Sequence, residues 1–218
     1  MTPQAGLFLS AVAFVGTHFL LSHPLRAPLV RLAGEGVFRG LYSLVALSTL
    51  GLMIYFYGAI GREPPLWAAG DAIWLAASVL MWLGSILFVG SFVRNPALPG
   101  ARMPKGPTSG VFRITRHPMM WGFALWAAVH LAVLATPKAL VLDGAIILLA
   151  LLGAAGQDRK KSQLMGERWH EWVAQTAFVP FSRGVANPGL VALLGGTLLF
   201  FVATWAHPVP AGFWRWIV

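Results

Sequence analysis

The chain contains no cysteine, and acidic residues are scarce: seven Asp and Glu against sixteen Lys and Arg in 218 residues. The missing thiols exclude disulfides, thiolate–metal sites, cysteine nucleophiles and thiolate-ligated haem. Any metal has to be held by histidine, methionine, carboxylate or water. Charge of either sign is rare, at 11% of residues, where soluble domains carry about 25%. Several catalytic signatures are missing as well: no GxGxxG follows a strand, and there is no GxxxxGKS/T, HExxH or GxSxG. What is abundant is apolar. A hydrophobic content of 57% and a mean hydropathy of +0.71 describe a membrane protein.

A helical span needs about 20 mostly apolar residues. Six stretches qualify: Gly6–Ser22, Leu41–Ile60, Ala72–Val93, Pro118–Leu134, Ala139–Ala155 and Leu190–Ala206. The fold class expected is all-α, a polytopic membrane helical bundle of about six transmembrane helices forming a single domain. The first stretch has no basic region before it and no small-residue cleavage pattern behind it, so it reads as a retained span. Between the fifth and sixth spans, Trp169, Trp172, Val173 and Thr176 recur at i, i+3, i+4 and i+7 within Gln163–Ala177. That spacing predicts a short interfacial helix with its indoles at headgroup level. Asp143, about one turn inside the fifth span, is expected to be exposed at the interface. The loop from Arg94 to Thr115 is rich in Pro and Gly and reads as turns rather than helix.

The net charge of +9 is distributed unevenly. If successive loops alternate sides, only Arg62, Lys138 and Arg215 fall on one side and every other Lys and Arg falls on the other. Short loops rich in Lys and Arg stay cytoplasmic. Both termini are then periplasmic, in a bacterial inner membrane. The basic excess is a topology signal suited to a lipid bilayer with anionic headgroups, and nucleic acid is not an expected partner.

Histidine is the residue type that the spans do not explain. His18 and His130 lie inside apolar stretches, where an ionisable side chain is expensive and marks a functional candidate. Neutral imidazole is also the commonest nitrogen ligand for metals. His18, Ser22 and Arg26 follow one helical stripe at i, i+4 and i+8, if the helix continues through Pro24. The residues leave open a plainer arrangement, with His18 bonded to a neighbouring helix and Arg26 snorkelling to headgroups. His117 and His130 are 13 residues apart, about 1300° around a helix and roughly 20 Å along it, so they cannot share an ion. His117 starts the fourth span, where it is placed to cap the helix, and Trp126 precedes His130 by one turn on the same face. The pair able to meet across a bundle is His18 with His130. The span boundaries leave them several ångströms apart in depth, a gap that helix tilt of about 20° decides.

Two such imidazoles suit haem b, which needs axial nitrogens and an apolar slot; Arg26, Arg39 and Arg116 lie on the side where propionates would need cations. Nothing in the spacing names haem rather than another cofactor. His23, His170 and His207 read as structural. The pair Glu167 and Glu171 reads as a solvated face.

A longer pattern resembles a known family. Gly16-Thr17-His18 with Ser22, Arg39-Gly40-Leu41-Tyr42-Ser43, Asn95-Pro96, and Phe112 through Pro118 on to Trp121-Gly122-Phe123-Ala124-Leu125-Trp126 and His130 resemble the NnrU family of bacterial inner-membrane proteins, over about residues 5–185. That resemblance implies a link to nitrite and nitric oxide metabolism in denitrification. The family is similar to the 15-cis-ζ-carotene isomerases, membrane enzymes that use haem b, whose haem histidines match His18 and His130. A redox-linked role with a hydrophobic substrate or a membrane redox partner is therefore implied. Ala127 stands where those isomerases carry a cysteine, which removes a thiolate step but not haem binding. A second pattern, Arg116-His117-Pro118-Met119-Met120-Trp121-Gly122, is similar to the RHPxYxG motif of isoprenylcysteine carboxyl methyltransferases and sterol reductases, and Asp158–Pro180 echoes their cofactor-binding segment. That resemblance implies S-adenosylmethionine or NADPH. The acidic pair and tyrosines of those enzymes are replaced here by Asp158-Arg159 and by Trp169 and Trp172.

Overall fold

Hydropathy locates the helices, and tertiary pairing sets where they end. The computed structural model describes residues 1–96 and 106–217. Over those residues the chain is all-helical, with no strand: α1 Pro3–Ser22, α2 Arg26–Ala59, α3 Asp71–Gly90, α4 Pro118–Val133, α5 Pro137–Met165, α6 Glu167–Gln175 and α7 Leu190–Trp205, with short 3₁₀ turns at Gly110–Arg113 and Gly212–Trp216. Helices α1, α2, α3 and α5 are long and apolar enough to cross a membrane. Helices α4 and α7 are apolar but shorter, at 16 residues each. The chain is a multi-pass membrane protein. Arg102 and Lys105, which the sequence places in a basic loop, lie outside the described residues.

Two helices run beyond their apolar stretches. Helix α2 begins at Arg26 and has 34 residues with a kink at Gly34; the part after the kink is about 38 Å of helix against a hydrocarbon core of about 30 Å. Its first turns carry charge that is neutralised locally, Arg26 meeting Glu35 at 2.7 Å and Arg39 lying 3.7 Å from the same carboxylate. Gly34 breaks this segment with φ 82° and ψ 161°, a left-handed backbone that favours glycine. Helix α5 continues past Ala155 to Met165, carrying Asp158 into the structure.

The helices divide into two compact units. One comprises Met1–Ala68 and Leu134–Leu149. Here Thr2 caps α1 by accepting the Ala5 N–H at 3.2 Å, with Pro3 in the first turn. Helix α1 packs along α2, and Leu7, Ala11 and Phe14 meet Met53 and Ala145 in the core. Gly6 permits the approach, since a Cβ there would lie 2.5 Å from the Phe56 ring. Asp143 is 3% exposed, which corrects the expected interfacial position: its neighbours Val141, Leu142 and Ala145 pack into this core and carry it inward. Lys138 closes the end of α2, bonding the carbonyl of Gly61 and lying 4.4 Å over the Tyr57 ring.

The other unit comprises Ala69–Val133 and Ala150–Val218. Helix α3 packs against both α4 and α7. Small residues make this possible, as in membrane interiors generally: a Cβ on Gly122 would lie 3.1 Å from Phe88 Cβ, and one on Gly196 would lie 2.7 Å from Ile86 N. Trp82 Nε1 donates to Thr197 at 2.9 Å, linking α3 to α7. The core gathers Ile86, Leu87, Val111, Phe112, Ile114 and Ala192 around Trp169 and Trp172. The periodicity of α6 is therefore as read, but its indoles face protein rather than headgroups, with Trp169 1% exposed. The turn at Gly110–Arg113 supplies the apolar residues that cover them. Glu167 and Glu171 remain on the exposed side.

Candidate functional site

His18 lies one turn before the end of α1, in the first unit. Its Nδ1 is 2.6 Å from the carbonyl oxygen of Phe14. A carbonyl only accepts, so Nδ1 carries the proton and the lone pair of the neutral ring is on Nε2. The Phe14 ring contacts the imidazole edge at 4.5 Å and Tyr42 of α2 contacts it at 5.5 Å. Ser22 donates to Tyr42 Oη at 3.3 Å, so Ser22 acts on His18 through Tyr42. Arg26 and Arg39 converge on Glu35 in the same unit. Arg26 makes two bonds of 2.7 and 2.9 Å, and Arg39, with 61% of its side chain exposed, makes a longer contact.

His130 lies in the second unit, in the last turn of α4. Its local arrangement repeats that of His18. Nδ1 donates to the carbonyl of Trp126 at 2.7 Å, and the Trp126 ring lies 4.3 Å from the imidazole at 37°. No hydrogen bond engages Nε2 of either histidine among the described residues. A histidine that donates one ring N–H to a backbone carbonyl and leaves the other nitrogen open has the orientation and tautomer of a metal ligand. In both cases the helix itself supplies the acceptor, four residues back.

At the opposite end of α4 the chemistry is different. His117 is 2% exposed. Its Nε2 is 2.9 Å from Asp158 Oδ1 and its Nδ1 is 3.2 Å from Gln157 Oε1, each oxygen accepting from the ring. Arg116 adds a bidentate pair on Asp158, with Nη2 at 2.6 Å and Nε at 2.8 Å from Oδ2. The same residues grip the segment after α6. Arg116 N donates to the Ala177 carbonyl at 2.8 Å, and both Thr115 Oγ1 (2.7 Å) and Trp121 Nε1 (2.8 Å) donate to the Phe178 carbonyl. Arg116 also lies 5.3 Å over the Phe178 ring. Every strong group in this cluster has an internal partner, so the cluster ties α4, α5 and the following segment together. His117 does not cap α4; it reaches across to α5.

Asp158 and Gln157 carry half of this cluster, and sequence pattern alone does not pair them with Arg116 and His117. A partial signal exists. In a chain with seven acids, an arginine at the end of an apolar helix has few carboxylates to meet, and Asp158 stands at the polar end of α5.

Comparison with known proteins identifies the family. The family described as NnrU protein matches over residues 6–214. The chain is 26% identical over 190 residues to the chloroplastic 15-cis-ζ-carotene isomerase of Arabidopsis thaliana, covering 83% of this chain and 50% of that protein. It is 26% identical over 161 residues to the chloroplastic 15-cis-ζ-carotene isomerase of Zea mays, covering 70% of this chain and 43% of that protein. The chain thus spans about half the length of these relatives. No solved structure matches it.

Proposed function

The chain belongs to the NnrU family, and from that premise we propose that it is a membrane haem protein whose iron ligands are Nε2 of His18 and Nε2 of His130. The observation that carries this reading is the repeated ligand geometry: in each unit an intramembrane imidazole is turned by a backbone acceptor so that its lone pair is uncommitted. The residues fit a b-type haem in kind. They are neutral nitrogens in apolar surroundings, and the cysteine-free composition leaves no thiolate to compete. The haem, when bound, supplies one-electron redox chemistry. The protein's share is to fix both tautomers through Phe14 and Trp126, to hold the rings against Tyr42 and Trp126, and to exclude water. Ser22 acts through Tyr42. Among the arginines, Arg39 has the most exposed guanidinium for a propionate and Arg26 lies beside it on Glu35, whereas Arg116 is committed to Asp158 at the other end of α4. Two histidine ligands favour electron transfer or a redox-gated reaction over free gas binding. The family name ties that role to nitrite and nitric oxide metabolism, at a bacterial inner membrane with the basic loops cytoplasmic.

The relatives support a second reading for the same cofactor, haem-dependent cis–trans isomerisation of a polyene, which rests on their activity as named. Either way the first test is a reduced-minus-oxidised absorption spectrum of the detergent-purified protein, with haem supplied during expression. A sharp Soret band with split α and β bands on reduction is expected. A featureless spectrum from folded protein contradicts the reading, and directs attention to S-adenosylmethionine or NADPH binding around Arg116 and His117.

A further inference from the structure

His207 follows α7 and reads from sequence as a structural residue at a span end. In the second unit its ring centroid lies 6.0 Å from that of His130. Its Nδ1 is 3.2 Å from the Val209 carbonyl and 3.5 Å from the Val209 N–H. The two contacts use opposite tautomers of the ring, and both leave Nε2 without a hydrogen bond among the described residues. His130 is held through Nδ1 by the Trp126 carbonyl. Two neighbouring imidazoles, 77 residues apart in sequence, are thus each held by backbone at Nδ1 with Nε2 unengaged.

The spacing suits one ion. Metal–imidazole bonds of roughly 2.0–2.1 Å, added to about 1.1 Å from ring nitrogen to centroid, put two imidazoles on one ion at about 5–6.4 Å between centroids. A cleft of about 320 Å³ opens beside His207, lined by Thr204, Trp205, Pro208, Val209, Trp214 and Ile217 among others. His207 lines this cleft directly, so an ion on its Nε2 would have room for water in its coordination shell. The surroundings are aromatic and aliphatic, with no carboxylate in the cleft lining, so the donor set is nitrogen. Nitrogen donors select transition ions over calcium or magnesium.

We propose that His130 and His207 form a two-histidine site for a divalent transition-metal ion, entered through the cleft at the end of α7. The site shares His130 with the haem reading without depending on it. One Nε2 serves one metal, so haem iron and the free ion exclude each other at His130.

Copper(II) is the probe, being the most tightly held divalent ion on nitrogen donors. It is titrated into the detergent-purified, haem-free protein and read by electron paramagnetic resonance, with the Soret band of haem-reconstituted samples recorded in parallel. The expected result is a saturable nitrogen-coordinated signal, lost in both H207A and H207Q and in H130A, retained in H18A, and suppressed by haem loading. A melting temperature like that of wild type shows that the His207 variants are folded. An undiminished copper signal in folded H207A and H207Q overturns the site and leaves the haem reading untouched. A normal copper signal in a wild-type protein that takes up no haem overturns the haem reading and leaves the site.

Discussion

The two ends of α4 each carry a histidine, and the two are bonded in opposite ways. At the start, His117 has both ring nitrogens engaged, by Asp158 and Gln157, beneath a bidentate arginine. Near the end, His130 has one nitrogen fixed by its own helix and the other uncommitted. A saturated histidine contributes to stability and has nothing left to offer a ligand. A half-saturated one in apolar surroundings costs stability and keeps one nitrogen open to a ligand. His18 belongs with His130 by this criterion. Residue type and depth alone do not separate these cases; the count of engaged nitrogens does.

That contrast is broken most severely at Asp158. D158N leaves the Arg116 guanidinium, 11% exposed on its side chain, without its counter-ion, and the loss of one partner from a largely buried pair costs about 3 kcal/mol. Chemical or thermal unfolding in detergent measures it. The expected result is a lower midpoint with an unchanged Soret band, because the damage stays at the saturated end. Loss of haem at equal occupancy of the folded state would join the two ends into one site.

A milder cut removes one of the two bonds on His117. Q157A leaves Nδ1 of a buried ring without its amide, at a cost of about 1–2 kcal/mol. Unfolding midpoints compared with D158N rank the two contacts, and equal losses would mean that the Asp158 bonds to Arg116 and His117 contribute no more than the single amide contact. The smallest effect is expected beside His18. Y42F deletes the hydroxyl that accepts from Ser22 and keeps the ring edge against the imidazole, so stability falls by less than about 1 kcal/mol. The reduction potential of the haem-loaded protein serves as a second readout. An unchanged potential assigns Tyr42 to packing, while a shift shows that its hydroxyl tunes His18.

How much of this is legible in the sequence depends on the range of the interaction. The helices are legible, because hydropathy and proline are local signals. Where α2 starts is not: Arg26, Arg31, Glu35 and Arg39 depress the hydropathy of its first turns, yet the chain is helical on both sides of the Gly34 kink, with Arg26 and Arg39 paired on Glu35. The face of α6 is legible at i, i+3, i+4 and i+7, but its covering is not, since Val111 and Phe112 come from a loop some sixty residues earlier. Burial of Asp143 has the same origin, because its neighbours Val141, Leu142 and Ala145 pack on residues of α1 and α2 that are distant in sequence. The orientation of His18 and His130 follows from helical geometry, the acceptor being four residues back in each case. Long-range pairing of Arg116 with Asp158 and of His130 with His207 requires the fold, because no periodicity connects residues that far apart.

The most direct test of the contrast is the haem-to-protein ratio of two variants purified side by side, H117Q and H130Q. The saturated histidine predicts full haem content with a lowered melting temperature in H117Q. The open histidine predicts a near-wild-type melting temperature without haem in H130Q. Full haem in H130Q, or its loss from folded H117Q, would contradict the assignment of the ligand to the far end of α4.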